Sequence, residues 1–192
     1  MSEGAALPVA LPAAASGRLV RSFLRYLRER AGEAACQAIG RELGGAPGAL
    51  VATPPLSTDW IPLATWLPVL AAFERRFGDP ATWQLLRETT RATMAVAMQK
   101  GWSRFMADIT PDLLAERAGT FWQMSYDTGM LVVRARGPRR CRLAIENWRD
   151  PPAPVVASVA EACVVFLVRL GERSGRAVET IADGCAELEV SW

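Results

Sequence analysis

Apolar and polar residues recur with a helical period through the first 125 residues. Between residues 17 and 31, for example, Val20, Phe23, Leu24 and Leu27 fall on one face of a helix. The same period, with its caps and breakers, predicts helices over 17–31, about 33–43, from Thr58-Asp59 to Gly78, about 80–100 and about 111–125. The Gly-rich stretch 44–58 is predicted to be a loop.

The period changes to that of strands at Gly129. Apolar and charged residues alternate on both sides of Gly137-Pro138, which predicts a hairpin, and two further strands, about 175–181 and 185–191, close the chain. Between the hairpins the apolar segment 155–170 is long enough to favour a helix. The order predicts an α+β fold, in which N-terminal helices pack on a small antiparallel sheet built from two C-terminal hairpins separated by an apolar helix.

The first hairpin carries a cluster of arginines whose arrangement depends on the register. Pairing the apolar faces puts Val133 opposite Leu143 and Ala135 opposite Cys141, with residues 137–139 as a three-residue loop. This register sets arginine opposite arginine, which is unfavourable without compensation. The arginines are Arg134, Arg136, Arg140 and Arg142, and the acids expected to neutralise them on the outer face are Glu146, Glu179, Glu187 and Glu189.

A second basic surface lies on the first helix, at Arg18, Arg21, Arg25 and Arg28. Together with the hairpin arginines these residues form a candidate surface for an anionic partner, either an acidic protein or an anionic lipid; a merely solvated face is the alternative. Specific nucleic-acid binding is not expected, because the net charge is only +2 and no aromatic residues interleave the hairpin arginines.

The chain contains no histidine, which restricts its chemistry. A Ser-His-Asp triad, a Cys-His pair and any His ligand to zinc or haem are excluded. The cysteines lack metal-ligand spacing and are expected to be reduced small hydrophobes. Asp127-Thr128-Gly129 matches the tripeptide of aspartic proteases but occurs once, so a helix-to-strand turn is favoured. We therefore expect no enzyme, and no catalytic, cofactor-binding or metal-binding residues.

The segment 155–170 is apolar nearly all round. Its polar residues, expected to share one solvated edge, are Ser158, Glu161 and Arg169. A helix that packs on one sheet needs only a single apolar stripe. A second apolar stripe must therefore be covered by another protein surface. We expect this second stripe, at Ala157, Val164 and Val168, to be a homodimer interface; cover by the helices of residues 60–125 is the intrachain alternative.

The first 16 residues are rich in Ala and Pro and predict a flexible tail. They differ from a signal peptide because Glu3 is acidic and Pro8 and Pro12 break the apolar run. No run of 18 apolar residues exists, so no membrane span is expected. We expect a cytoplasmic protein with a tail over 1–16 and a single α+β domain over 17–192.

Five short motifs follow one another along the chain: Arg30-Ala31-Gly32-Glu33, Asp59-Trp60-Ile61-Pro62, Phe77-Gly78-Asp79, Tyr126-Asp127-Thr128-Gly129 and Glu187-Leu188-Glu189-Val190-Ser191-Trp192. In this order they resemble a myxobacterial paralogous family of domains of unknown function, which is distantly similar to 4-vinyl-reductase-like and TRAPP-like sensor domains. The resemblance covers about residues 17–192. It implies an α+β ligand-sensing or interaction domain, often homodimeric, without known catalysis.

Two features of the related families are missing from this chain. The 4-vinyl-reductase-like domains have a Cys-rich ending, whereas only Cys185 lies nearby here, so no metal or redox role carries over. The first half is also similar to haem nitric-oxide sensors, but without a histidine the axial haem ligand is missing.

Taken together, the sequence predicts a non-enzymatic cytoplasmic regulatory or scaffolding domain in signalling, acting through protein–protein contacts with a partner or a homologue. The alternative is a small-molecule or lipid-binding sensor domain with an apolar cavity between helices and sheet. No cofactor is expected in either case.

Overall fold

The computed structural model describes residues 13–100 and 109–192. The helices in these ranges are α1 (Gly17–Ala31), α2 (Glu33–Leu43), α3 (Gly45–Ala52), α4 (Leu63–Phe77), α5 (Gln84–Lys100), α6 (Pro111–Glu116), α7 (Ala118–Gln123) and α8 (Ala153–Arg169). The strands are β1 (Ala14–Ser16), β2 (Trp60–Pro62), β3 (Met130–Gly137), β4 (Arg140–Glu146), β5 (Arg176–Ala182) and β6 (Cys185–Ser191). The predicted α+β class is confirmed.

The first two helices have the bounds that the sequence predicts. Ser16 Oγ caps α1 by accepting a hydrogen bond from the N–H of Leu19 at 3.4 Å. The stretch 44–58, in contrast, is not a loop throughout, because α3 occupies part of it. A Cβ on Gly48 would lie 2.3 Å from the carbonyl oxygen of Gly40, so glycine here lets the backbones of α2 and α3 touch. Gly48 is therefore a packing residue, whereas Gly44 and Gly45 adopt positive φ at the turn between α2 and α3.

Within the described residues, a short strand, β1, precedes α1. This strand pairs antiparallel with β2, and Ala15 is fully buried. Asp127 also holds β1, because its Oδ1 accepts a hydrogen bond from the N–H of Ala14 at 2.7 Å and its own N–H donates to the carbonyl of Ala14. The predicted boundary at residue 16 is therefore wrong: Ala14–Ser16 belong to the fold through partners far along the chain. The helix expected from Thr58-Asp59 begins later, at Leu63, because β2 comes first.

Asp127-Thr128-Gly129 forms the predicted turn between α7 and β3. Gly129 has φ +71°, a conformation that glycine adopts without strain. The indole N–H of Trp122 donates to the carbonyl of Thr128 at 3.0 Å and holds the turn against the core. Asp127 acts here as a structural acceptor.

The four C-terminal strands form one antiparallel sheet in the order β3-β4-β6-β5. The two predicted hairpins therefore lie side by side, joined through β4 and β6, and α8 packs against β5 and β6. Asp183 and Gly184 both have positive φ, as a two-residue type I′ turn requires. The inner face buries Leu143, Leu188 and Val190.

A β-bulge at Arg134 changes the register of the first hairpin. Val133 lies opposite Leu143, as predicted, but Ala135 lies opposite Arg142 and not opposite Cys141. The bulge inserts one extra residue into β3 and breaks the strict alternation on which the predicted register depends.

The turn of this hairpin is shorter than predicted. Gly137 pairs with Arg140, so Pro138 and Arg139 form a two-residue turn, and Arg136 lies opposite Cys141. The pairs of facing arginines that the predicted register contains do not form, because the bulge displaces Arg136 by one position.

A buried carboxylate on α4 begins the helix α5. Glu74 is 1% exposed; its Oε1 accepts from the N–H of Leu86 at 2.6 Å, and its Oε2 accepts from the N–H groups of Leu85 at 3.2 Å and Asp79 at 3.1 Å. Leu85 and Leu86 lie in the first turn of α5. The side chain of Glu74, which is on α4, therefore accepts hydrogen bonds that an N-cap residue of α5 would otherwise accept. Burial raises the pKa of Glu74, although the three N–H donors lower it. A Cβ on Gly78 would lie 2.0 Å from Oε2, so this approach requires glycine.

The tryptophans fill the core only in part. Trp66 and Trp122 are buried, whereas Trp60 is 48% exposed. Trp192, which its strand alternation predicts to be buried, is partly exposed, and Trp102 lies outside the described residues. Across residues 13–100 and 109–192, no helix has both the length and the apolar character needed to cross a membrane.

Candidate ligand-binding cavity

A cavity of about 240 Å³ lies between the helices and the inner face of the sheet. Its walls come from the helices α1, α5, α6, α7 and α8 and from the strands β1, β3, β4 and β6; β1 contributes the buried Ser16. Most of the lining side chains are apolar, and they include Phe23, Met94, Phe121, Leu131 and Phe166. Such a cavity is suited to a small apolar molecule, at the lower end of the size range of ligand pockets.

Three buried hydroxyl groups lie together on one wall of this cavity. Thr90 on α5 and Ser158 on α8 place their oxygens 3.1 Å apart. Tyr126 lines the same cavity, and Ser158 lowers the pKa of its phenol, although less than burial raises it. Thr90 is 2% exposed, and Ser158 and Tyr126 are each 7% exposed. Burial raises the pKa of Tyr126 well above its usual range, so the phenol is neutral. We name this set the hydroxyl cluster.

Aromatic packing fixes the position of Tyr126. Its ring centroid lies 4.9 Å from that of Trp122 and 6.2 Å from that of Trp148. Contacts of this kind stabilise a ring in one orientation. The phenol oxygen is therefore held at the cavity wall before any ligand arrives.

Two further polar side chains of the wall donate their protons to the backbone. Thr93 Oγ1 donates to the carbonyl of Thr89 at 2.8 Å, and Ser125 Oγ donates to the carbonyl of Phe121 at 3.3 Å. The α1 side of the wall is different, because the exposed Arg18 and the partly exposed Ser22 lie there. We call this side the rim of the cavity.

The two cysteines of the wall are neutral thiols. Burial raises the pKa of Cys163 to about 12 and also raises the pKa of Cys141. A thiol attacks or ligates a metal as its thiolate, which these surroundings disfavour. Among the described residues, no cluster of three His, Cys, Asp or Glu could hold a metal ion. Burial thus disfavours nucleophilic and metal-binding chemistry at these two thiols.

The polar residues of α8 do not share a solvated edge. Ser158 faces the cavity, and Glu161 is only 7% exposed, its Oε1 accepting from Nε of Arg91 at 2.9 Å. The Glu161 hydrogen bond is the largest influence that raises the pKa of Arg91. The prediction for Ser158 and Glu161 is wrong because α5 supplies partners for both residues, and a stripe on one helix does not contain that information.

The hairpin arginines mostly have acidic partners. Arg134 pairs with Glu146 at 2.9 Å, and Arg142 lies 4.0 Å from Glu187. Arg136 pairs with Glu116 of α6 at 3.1 Å, which is not among the acids expected to neutralise it. These pairs are largely exposed, and pairs of this kind add little stability.

The sequence predicts Glu179 on the outer face of the sheet with Glu187 and Glu189, and this prediction is wrong. Glu179 lies opposite Leu188 on the inner face and accepts a hydrogen bond from Arg87 of α5. Its neighbour Val178 takes the outer position, opposite Glu189. In β5, therefore, Val178 faces outwards and Glu179 faces inwards, which is the reverse of the predicted arrangement.

The arginines of α1 divide into two groups. Arg18, Arg21 and Arg25 are exposed, and Arg18 also lines the rim of the cavity. Arg28 is partly buried, and its Nη2 donates to the carbonyls of Val51 and Ala52 at the end of α3. Arg28 thus has a structural role and is not part of a free anionic-partner surface, which the remaining three arginines can still form.

The predicted interface on α8 is partly covered within the chain. Ala157 is 3% exposed, so it cannot contribute to a surface. Val164 is partly exposed, and Val168 is 49% exposed. The intrachain alternative therefore holds for Ala157, whereas Val164 and Val168 remain candidates.

The fold is similar to that of H-NOX domains. The Fe(II) unliganded H-NOX protein from K. algicida matches with a TM-score of 0.69 at 9% identity, over 92% of this chain and 95% of that chain. A structure concerned with haem distortion in the H-NOX family matches with a TM-score of 0.66 at 13% identity, over 91% of this chain and 92% of that chain. An oxygen-binding H-NOX domain related to soluble guanylate cyclases matches with a TM-score of 0.62 at 11% identity, over the same shares. The sequence matches no protein-family model and no curated protein.

The residues of this cavity do not fit a haem. The chain has no histidine, and burial holds Cys141, Cys163 and Tyr126 in their neutral forms. Met94 and Met124 also line the wall, but methionine ligates haem iron together with a histidine, which is missing here. Cysteine and tyrosine ligate haem iron in their deprotonated forms. Among the described residues, the buried part of the wall contains no cationic side chain that would stabilise such an anion. The similarity to H-NOX domains therefore concerns the fold.

Proposed function

We propose that this chain is a non-enzymatic sensor domain that binds a small, uncharged, largely apolar molecule in the cavity. The observation that carries the proposal is a largely apolar cavity with a buried hydroxyl cluster at its wall. An apolar pocket with a few fixed polar groups is the usual construction of a small-molecule site. The fold similarity to H-NOX domains supports a ligand-sensing role as well.

The chemistry of the wall supports binding without catalysis. Its titratable groups are Arg18 at the rim, the Cys141 and Cys163 thiols and the Tyr126 phenol, and burial keeps the last three neutral. General acid–base catalysis needs a group whose pKa lies near the working pH. The proposal therefore includes no reaction.

Regulation through a protein partner is compatible with this function. Arg18, Arg21 and Arg25 are exposed on α1, and Arg18 belongs both to this surface and to the rim. A ligand that shifts Arg18 would alter a surface suited to an acidic partner. A domain acting only as a scaffold has less support, because Arg28 and Ala157 are used inside the fold and most hairpin arginines are paired.

The test is binding of the fluorescent apolar probe N-phenyl-1-naphthylamine to the full chain. Ala162→Phe, on α8, places a ring in the cavity, whereas Ala153→Phe makes the same change at an exposed position of the same helix. We expect saturable one-to-one binding that Ala162→Phe weakens at least about tenfold, equivalent to about 1.4 kcal/mol. Ala153→Phe is expected to bind like the unmodified chain.

Two results would contradict the proposal. One is the absence of saturable binding by the probe and by other apolar molecules of similar size. The other is binding that both alanine variants retain equally, which would locate the probe elsewhere. Far-ultraviolet circular dichroism of each variant establishes that a loss of binding is not a loss of folding.

A further inference from the structure

One buried hydroxyl group of the cavity wall has a proton without an acceptor. Ser16, at the end of β1, lines the cavity and is 7% exposed. Its Oγ accepts a hydrogen bond from the N–H of Leu19 at 3.4 Å, but among the described residues its proton has no acceptor. A hydroxyl group can donate as well as accept, so Ser16 still has a hydrogen bond to give.

The hydroxyl groups on the opposite walls have partners within the protein. Thr90, Thr93 and Ser125 each donate to the backbone carbonyl four residues earlier, at 2.9, 2.8 and 3.3 Å. Ser158 lies 3.1 Å from the hydroxyl oxygen of Thr90, and Tyr126 belongs to the same hydroxyl cluster. Ser16 has no such hydroxyl or carbonyl partner for its proton among the described residues.

Ser16 belongs to the side of α1 that faces the cavity. Ser16, Leu19, Ser22 and Phe23 all line the cavity, and their spacing of three or four residues puts them on one side of the helix. Ser22 is partly exposed at the rim, where water competes for its proton. A hydrogen bond donated by the buried Ser16 is shielded from this competition, and Leu19 and Phe23 offer apolar contact to the rest of a ligand.

We propose that the ligand is an apolar molecule with a carbonyl oxygen, and that Ser16 donates its proton to this oxygen. Ketones and esters with an apolar body belong to this class. The inference rests on the proposed function, because it specifies the polar group of the molecule that the cavity takes. A buried hydroxyl proton and a buried carbonyl oxygen are each unfavourable alone, and one hydrogen bond between them removes both penalties. A carbonyl also brings no further proton that would need an acceptor, whereas an alcohol does.

A matched pair of ligands tests this hydrogen bond. 2-Acetylnaphthalene has the carbonyl, and 2-isopropenylnaphthalene has nearly the same shape with the oxygen replaced by a CH₂ group. Quenching of tryptophan fluorescence in the full chain measures both affinities, because Trp122 and Trp192 line the cavity, and titration calorimetry checks the values. The two ligands differ in hydrophobicity, so the test compares how each variant changes the two affinities, and this comparison cancels the difference.

Ser16→Ala removes the proposed donor. It should weaken 2-acetylnaphthalene about five- to tenfold, in line with one hydrogen bond, and 2-isopropenylnaphthalene by less than about twofold. Because Ser16 also caps α1, Ser16→Gly serves as a second variant, since glycine is a much better N-cap than alanine. Ser22→Ala, on the same helix, and Tyr126→Phe, in the hydroxyl cluster, are the controls; each should change the ratio of the two affinities by less than about twofold.

Infrared spectroscopy of the bound ketone reports the same bond directly. A carbonyl that accepts a hydrogen bond absorbs at a lower frequency than the same carbonyl in an apolar solvent. The carbonyl band of 2-acetylnaphthalene bound to the unmodified chain should therefore lie below its position in cyclohexane. In Ser16→Ala the band of the bound ketone should return toward the cyclohexane position.

The outcomes distinguish this inference from the proposed function. A carbonyl band at the cyclohexane position in the unmodified chain, or equal losses of both ligands in the Ser16 variants, would overturn the inference and leave a ligand-binding cavity. A selective loss of the ketone in Ser22→Ala or Tyr126→Phe instead would overturn Ser16 as the donor. Failure of both ligands and of the phenylnaphthylamine probe to bind would overturn the function and the inference together. A loss of the ketone alone in the Ser16 variants, with the shift of its band, supports the inference.

Discussion

Replacement of Glu74 by glutamine gives the sharpest prediction for stability. The carboxylate accepts three backbone N–H groups, those of Asp79, Leu85 and Leu86. Glutamine has nearly the same shape but only one oxygen, and its NH₂ group must face at least one of these donors. The substitution therefore tests the hydrogen bonds of this helix start with little change in packing.

The magnitude follows from the number of donors left without an acceptor. One buried N–H without a partner costs about 1–3 kcal/mol, so Glu74→Gln should destabilise by about that amount. Glu74→Ala leaves all three donors and a small cavity, and should cost about 3–5 kcal/mol. For a chain of this length about 1 kcal/mol corresponds to 2–4 °C in Tm, so the glutamine variant should melt roughly 2–12 °C lower.

Urea denaturation followed by tryptophan fluorescence measures these free energies of unfolding. Glu42→Gln is the matched control, because Glu42 is 59% exposed and lies 3.9 Å from its partner Arg75. This control should change stability by less than about 0.5 kcal/mol. A loss below about 0.5 kcal/mol in Glu74→Gln would refute the capping role of Glu74.

The pH dependence of this difference has a definite sign. Because burial raises the pKa of Glu74 in the folded chain, the folded state binds more protons than the unfolded state between the ordinary pKa, about 4.3, and the raised value. The associated stability is fully present below the unfolded pKa and is lost as the pH rises through the folded pKa. The advantage of the unmodified chain over Glu74→Gln should therefore be larger at pH 4 than at pH 7, and the opposite trend would contradict the raised pKa.

Two further predictions concern the cysteines and self-association. Iodoacetamide at pH 8 should label the exposed Cys185 rapidly and Cys163 much more slowly, because burial raises the pKa of Cys163 to about 12; peptide mass spectrometry reads out both sites, and equal rates would contradict the buried thiol. Homodimerisation through Val164 and Val168 should give a dimer by light scattering at tens of micromolar that Val164→Asp plus Val168→Asp converts to a folded monomer; a monomeric unmodified chain would refute it.

The pattern of apolar and polar residues predicts an element correctly where its buried residues all lie on one face. In α1 the buried residues Val20, Phe23 and Leu24 follow the helical period, and the helix has the predicted bounds. The turn at Asp183-Gly184 and its two strands are likewise predicted, but the alternating pattern does not give the faces of β5, where Val178 points outwards and Glu179 inwards. In α1 the burial of each residue follows its position on the helical face.

Features that depend on distant residues could not be predicted in this way. Ala14 is a strand residue because β1 pairs with β2, and Asp127 also holds it. Glu161 has a partner in its buried position because Arg91 reaches it from α5. The bulge at Arg134 adds a residue that an alternating pattern does not reveal.

The hydroxyl cluster had only a weak signal in the sequence. Ser158 stands in an otherwise apolar segment, and Thr90 stands on another predicted helix. A polar residue inside an apolar run indicates either a solvated edge or a buried partner, and the choice requires the position of α5 relative to α8.

The hydrogen bond between β1 and Asp127 affects how the chain folds during translation, because its two residues are synthesised far apart in time. The N–H of Ala14 and the carboxylate that accepts its hydrogen bond are 113 positions apart. At ordinary rates of translation, the first strand would wait on the order of ten seconds for this acceptor, whereas α1 and α2 can form at once. During that interval the side of α1 that later lines the cavity has neither α7 nor the sheet to cover it, so apolar residues such as Leu19 and Phe23 stay exposed until the later elements are synthesised.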